Sequence, residues 1–174
     1  MGNMILVAGL SGSGKTYYCR DFVKRHPEYV YMNIDDFYTT YNGEPVHKNE
    51  FEVWITFFNA IHTLAVNGKN VIIESNALDN IDRAQFVRWF PEFDKHYLYW
   101  VWTDFLTAKE NNLKRSRVIP EDEWKQMYHK TANPDKSTDR EWDEICYVEN
   151  LHNSGEYSIF KAKEKEQHYA ENDK

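Results

Sequence analysis

The sequence predicts an α/β protein in three layers, an open and mostly parallel five-stranded sheet with helices on both faces and a small helical, basic lid. Three observations predict it. Short apolar runs, suited to strands buried on both faces, alternate with stretches of helical periodicity. A glycine-rich turn joins the first such run to the first helix. The polar residues singled out below fall at the carboxyl ends of the predicted strands, where open α/β sheets bind ligands.

Met4-Ile5-Leu6-Val7-Ala8 is a continuous apolar run closed by glycine, as a buried strand requires. Lys15 to Lys24 follows as a helix with Tyr17, Phe22 and Val23 among polar residues, and His26-Pro27 ends it. Tyr29 to Asn33 is a second strand that delivers Asp35 and Asp36 just past its end. Tyr38 to Asn49, with Asn42-Gly43 and Pro45, reads as a loop that borders a substrate. From Glu50 to Asn67, Phe51, Trp54, Ile55, Phe58, Ile61 and Ala65 recur at helical spacing, and Gly68 supplies a stop. Val71-Ile72-Ile73 is a third strand leading into Glu74-Ser75-Asn76, and a helix over about Ile81 to Phe90 ends at Pro91. His96 to Thr103 is a fourth strand and Asp104 to about Lys114 another helix. The basic turn Lys114-Arg115-Ser116-Arg117 then leads to Pro120-Glu121-Asp122-Glu123, which has the proline and acidic residues favoured in a first helical turn. Ile145 to Val148 is a fifth short strand, and the tail, about 155–174, reads as a solvated polar helix or a frayed end.

A chain of 174 residues suits one α/β core, so residues 1–174 are expected to form a single domain with a lid at about 109–130. Against 28 acidic residues stand 21 basic ones, a formal charge of −7, which disfavours holding a long stretch of nucleic-acid phosphate by charge and leaves only local contact with such a partner. Cys19 and Cys146 form no Cys-x-x-Cys pair, so neither a disulfide framework nor a thiolate metal site is indicated. No apolar run approaches the roughly 18 to 20 residues that span a bilayer, and no basic region precedes Met4 to Leu10. These features imply no membrane partner and a reducing, cytoplasmic location; nothing in them sets an oligomeric state.

Gly9-Leu10-Ser11-Gly12-Ser13-Gly14-Lys15-Thr16 fits the eight-position P-loop pattern between a buried strand and an amphipathic helix. Glycines let successive N–H groups point into one concavity, and the helix starting near Lys15 adds its positive dipole end, so phosphate oxygens find fixed donors. Backbone donors from Gly9 to Thr16, with Ser11, Gly12, Ser13 and Gly14 between them, predict ATP as ligand. Lys15 is expected to reach the β- and γ-phosphates, and the Thr16 hydroxyl to meet Mg²⁺. No Asn-Lys-x-Asp sequence occurs, which argues against a GTPase.

A phosphoryl-transfer enzyme needs a carboxylate that orients an acceptor hydroxyl and takes its proton. Asp35 and Asp36 are the best placed, after a second strand expected to lie next to the first; the alternative is a solvated or helix-capping pair. Cations must also meet the charge on the transferred group as the site closes, and Arg115 and Arg117 are the candidates, the alternative being a basic helix end.

Gly9 to Thr16, Asn33-Ile34-Asp35-Asp36-Phe37 about 17 positions on, Val71-Ile72-Ile73, and Lys114-Arg115 before Val118-Ile119-Pro120 together resemble the kinase domain of phage-type polynucleotide 5′-hydroxyl kinases, over roughly Met4 to Lys130. The resemblance implies a five-stranded P-loop kinase sheet, Asp35 as general base, Arg115 as the lid arginine on the ATP phosphates, and a polynucleotide 5′ end as acceptor. Two positions depart from that pattern. Tyr38 stands where the family has an arginine towards a substrate phosphate, and Ser75 replaces the aspartate after the third strand, with Glu74 and Asn76 beside it. Tyr38 is then a candidate for stacking on a base, and Glu74 for holding a metal-bound water. A nucleoside, a nucleotide or another small hydroxyl compound remains the alternative acceptor, and a regulatory nucleotide-binding protein the alternative class.

Trp54, Phe57, Phe58, Trp89, Phe90, Trp100 and Trp102 belong to an aromatic fraction of 16 %, and their spacing assigns them to core packing rather than to a base-stacking platform. The seven histidines show no ligand spacing.

Overall fold

The computed structural model describes residues 1–38 and 49–162. The bulk of the predicted loop from Tyr38 to Asn49 and the end of the tail lie outside the described residues. Six strands form one sheet: β1 (Asn3–Ala8), β2 (Tyr29–Asn33), β3 (Asn70–Ser75), β4 (Lys95–Trp102), β5 (Glu144–Asn150) and β6 (Tyr157–Lys161). Their order is β2-β3-β1-β4-β5-β6. The first five are parallel and β6 runs antiparallel to β5. Five helices accompany them: α1 (Lys15–Arg25), α2 (Glu50–Val66), α3 (Asn80–Trp89), α4 (Phe105–Leu113) and α5 (Glu121–Lys130).

The alternation of side chains along β1 builds the layers. Ile5 and Val7 point to one face, where Tyr18, Cys19 and Phe22 of α1 cover them. Met4, Leu6 and Ala8 point to the other, where Phe57, Ile61 and Ala65 of α2 and Phe86 of α3 pack. Both faces are thereby closed, which is why the β1 and β3 runs are apolar throughout. Helix starts are set locally. The side chains of Asn49, Asp79 and Asp104 each accept an N–H of the first turn of α2, α3 and α4.

Three expectations are corrected. The sheet has six strands instead of five, because part of the tail assigned to a solvated helix or frayed end is β6; a turn with Asn153 at φ 61° and Gly155 at φ 83° folds it back on β5 as a hairpin. The second strand does not neighbour the first: β3 lies between them, so Asn33, Glu74 and Val7 form one row across the sheet. In α2 the buried stripe is Val53, Phe57, Ile61 and Ala65, while Phe51 and Ile55 are exposed. The apolar residues of this helix cover most of its circumference, so spacing alone did not select the face. No helix among the described residues is long and apolar enough to cross a membrane.

Candidate active site

The turn from β1 to α1 has the backbone that its glycines allow. Gly12 and Gly14 adopt φ 93° and 104°, and a Cβ at Gly12 would lie 2.2 Å from the Ala108 carbonyl oxygen. Lys15 is buried, and its ammonium donates to the carbonyls of Gly9 at 2.8 Å and Leu10 at 3.0 Å, folding the side chain over the loop. Burial pushes its pKa down to about 8, with Arg115 adding to the fall and Glu74 opposing it. A cationic group held in a dry concavity of backbone, at a helix N-terminus, fits a phosphate chain. Ser13 departs from the expected arrangement: its N–H bonds the Leu10 carbonyl at 3.0 Å and its hydroxyl is buried on the far side of the loop.

Glu74, at the end of β3, organises the floor of the cleft. One carboxylate oxygen accepts the Thr16 hydroxyl at 2.7 Å, and the other accepts the Tyr31 hydroxyl and, at 3.3 Å, the Asn33 amide. Burial, followed by Glu74, raises the Tyr31 pKa, so that phenol stays a donor. The Thr16 hydroxyl and the Glu74 carboxylate are hard oxygen donors and fit Mg²⁺, which takes few protein ligands and keeps its waters. Asn33 also accepts the Asp35 N–H at 3.0 Å, capping the single 3₁₀ turn Ile34–Phe37. That turn separates the two aspartates. Asp35 lines the cleft with Lys15, Thr16 and Glu74, whereas Asp36 does not; burial raises the Asp36 pKa while Arg20 lowers it.

The predicted lid closes over the loop from the other side. Asn112 donates to the Ile119 carbonyl at 2.9 Å and accepts its N–H at 3.3 Å, pinching off the basic turn between α4 and α5. Arg115 reaches the Ser11 hydroxyl, and Trp124 of α5 donates to the Ser11 carbonyl at 2.9 Å. Arg117 lies over the Tyr38 ring, 6.0 Å from its centroid, so Tyr38 faces a lid cation, and it does not line the cleft. The β5–β6 hairpin braces the loop and lines the cleft beside it: Asn150 donates to the Ser13 carbonyl at 3.1 Å and Tyr157 to the Gly14 carbonyl at 3.1 Å. Asn111 of α4 and Asn153 of the hairpin exchange two amide bonds of 2.9 Å.

One cleft of about 870 Å³ thus gathers Ser11, Gly12, Gly14, Lys15, Thr16, Asp35, Glu74, Arg115 and Arg117. Tyr31, Asn33, Asn111, Asn150 and Asn153 were not singled out from the sequence. For Asn33 a signal existed, since an asparagine can accept the N–H of the residue two positions on, here Asp35, as the cap of a turn. Tyr31 shares its strand face with Asn33 two residues on, but its partner lies 43 positions away and no local rule finds it. The aromatics expected in the core divide: Phe57, Phe90 and Trp100 are buried, Trp89 is 38 % exposed, and Trp54 lines the cleft.

A protein family described as AAA domain matches residues 4–134. No curated protein matches the chain in sequence. Solved structures match it in fold. An unliganded sugar kinase from Janibacter sp. HTCC2649 superposes with TM-score 0.62 at 16 % identity, over 89 % of this chain and 90 % of that one. The Pnkp1/Rnl/Hen1 RNA repair complex gives TM-score 0.66 at 15 % identity, over 92 % of this chain and 48 % of the matched one. A gluconokinase from Sinorhizobium meliloti 1021 gives 0.56 at 16 % identity, over 87 % and 85 %. At these identities the likeness is one of fold, a P-loop kinase-like sheet with helices on both faces.

Proposed function

Because the chain belongs to the AAA-domain family just described, matched over residues 4–134, we propose that it is an ATP-dependent kinase that transfers the γ-phosphoryl group to a hydroxyl. The observation that carries the reading is the convergence of Lys15, Thr16, Asp35, Glu74 and Arg115 on one cleft, from four separate stretches of sequence. The loop N–H groups and Lys15 hold the phosphate chain. Thr16 and Glu74 hold Mg²⁺, which when bound neutralises charge on the phosphate oxygens. Asp35 orients the acceptor hydroxyl and takes its proton as the O–P bond forms. Arg115, with Arg117 beside it, moves from the Ser11 hydroxyl onto the transferred group as the lid closes, meeting charge that grows in the transition state and excluding water.

For the acceptor we propose the 5′-hydroxyl of a polynucleotide end, which the motif resemblance favours and which needs only local contacts. One observation favours a second reading, a small uncharged hydroxyl compound. Among the described residues, the cations lining the cleft are Lys15 of the P-loop and Lys114, Arg115 and Arg117 of the lid, and the rest of the lining includes the uncharged Ile34, Trp54, Ser75 and Asn76; a sugar kinase and a gluconokinase share the fold. The test incubates the protein with γ-labelled ATP and a panel of 5′-hydroxyl oligonucleotides, nucleosides, nucleotides and sugars. Label on oligonucleotide ends alone supports the first reading and label on monomers the second. Label nowhere, despite tight ATP binding, sinks the kinase proposal and leaves a regulatory nucleotide-binding protein.

A further inference from the structure

The P-loop has a second face. Behind it, separate from the nucleotide cleft, is a pocket of about 420 Å³, a volume that suits a small organic molecule. Leu10 and Ser13 of the loop, Trp100 and Val101 of β4, and Thr131 and Asn133 after α5 are among its walls. Trp100 and Val101 are buried, whereas Tyr128 and Asn133 are exposed, so the pocket has a dry floor and an open mouth. No charged side chain lines it. An ionised ligand would lose water there without gaining an oppositely charged partner, which disfavours the nucleotide and its phosphates.

At least two polar groups are left for an occupant. The Ser13 hydroxyl is buried and has no hydrogen-bond partner. Asn133 accepts the Trp100 indole N–H at 3.1 Å through its carboxamide oxygen, which leaves its N–H groups as donors near the mouth. Much of the remaining wall is aromatic, with Trp100, Trp102, Tyr128 and Tyr147 around the space and aliphatic and threonine side chains between them. Rings pack best against another ring's face or edge. We propose that this pocket is a second ligand site, which takes a compact, uncharged, planar aromatic molecule bearing a hydroxyl or amide that pairs with Ser13 and Asn133.

Such a ligand bridges two parts of the nucleotide site. Leu10 and Ser13 belong to the P-loop, while Tyr128 belongs to α5, whose Trp124 donates to the Ser11 carbonyl at 2.9 Å. Occupancy therefore biases the packing of the loop against α5, and by linkage nucleotide affinity changes when the pocket fills. The site does not depend on which hydroxyl the protein phosphorylates.

The probe is 5-hydroxyindole, followed by amide chemical shifts of the full chain with and without saturating ATP. Saturable shifts are expected at Ser13, Tyr128, Thr131 and Asn133, persisting in ATP and absent with the charged analogue indole-3-acetate. Thr131→Phe, which fills the mouth, is expected to abolish them while ATP still binds. Intermolecular nuclear Overhauser contacts from the probe to the Trp100 and Tyr128 rings of the parent protein give a reading independent of that variant. No saturable shift, strict competition in which saturating ATP and the probe never bind together, or probe contacts elsewhere than these two rings would each overturn the proposal.

Discussion

Replacing Arg83 by methionine is expected to be among the most destabilising single changes in this protein. Arg83 and Asp139 are both fully buried, and the guanidinium meets the carboxylate twice, Nε to Oδ1 at 2.6 Å and Nη2 to Oδ2 at 3.1 Å. Its third nitrogen donates to the carbonyls of Ala132 at 2.8 Å and Leu78 at 3.2 Å, and its plane lies 5.2 Å from the Trp100 ring centroid. The pair ties α3 to the segment between α5 and β5, directly behind the turn whose Asn76 carbonyl holds the Gly9 N–H at 3.0 Å. Removing the guanidinium leaves Asp139 charged in a dry site with only the Asp135 N–H and the Thr138 hydroxyl as partners, both on one oxygen. Breaking a buried pair from one side costs about 3–5 kcal/mol, because a charge is stranded. At about 2–4 °C per kcal/mol for a chain of this size, Tm falls by roughly 6–20 °C. Thermal unfolding followed by circular dichroism measures it. The double variant Arg83→Met/Asp139→Leu, with no stranded charge, is expected to recover most of the loss. A loss below about 1 kcal/mol in Arg83→Met, or a double variant no better than the single one, refutes the reasoning.

The buried ammonium of Lys15 is expected to make nucleotide binding pH-dependent. Its pKa is lowered to about 8 in the free protein, and phosphate raises it again, so ATP affinity is flat below that pH and falls up to about tenfold per unit above it. Calorimetry in buffers of different ionisation enthalpy reads the accompanying proton uptake; constant affinity through pH 9.5 contradicts the assignment. Asp35→Asn is expected to keep ATP binding and lower turnover by about two to four orders of magnitude, and an inactive Asp36→Asn beside an active Asp35→Asn reverses the roles. Tyr31→Phe removes the hydroxyl that braces Glu74 and is expected to raise the Mg²⁺ needed for half-maximal activity about 10- to 100-fold; an unchanged Mg²⁺ titration removes Tyr31 from the site. Arg115→Ala is expected to reduce kcat more than ATP affinity, and equal losses make it a ground-state ligand only.

How far these residues could be read without coordinates follows from the range of the interactions involved. The β1 and β3 runs and the glycine pattern from Gly9 to Thr16 are local signals, each complete within about ten residues, because strand burial and loop conformation depend on near neighbours. They were enough to predict an α/β sheet with its phosphate-binding turn at the carboxyl edge. The position of Asp35 just past a strand was legible in the same way. What stands beside what was not. Only tertiary structure inserts β3 between β1 and β2, and this register brings Glu74 onto Thr16, 58 residues away. Only tertiary structure sets Tyr31 on Glu74, Arg83 on Asp139 and Asn111 on Asn153, since polar partners are chosen by where a burial leaves a donor or acceptor unmet, not by their spacing along the chain. The antiparallel β6 shows both sides. Its turn residues Asn153 and Gly155 were present in the sequence, but pairing with β5 depended on an open strand edge, and an edge exists only once the sheet has formed.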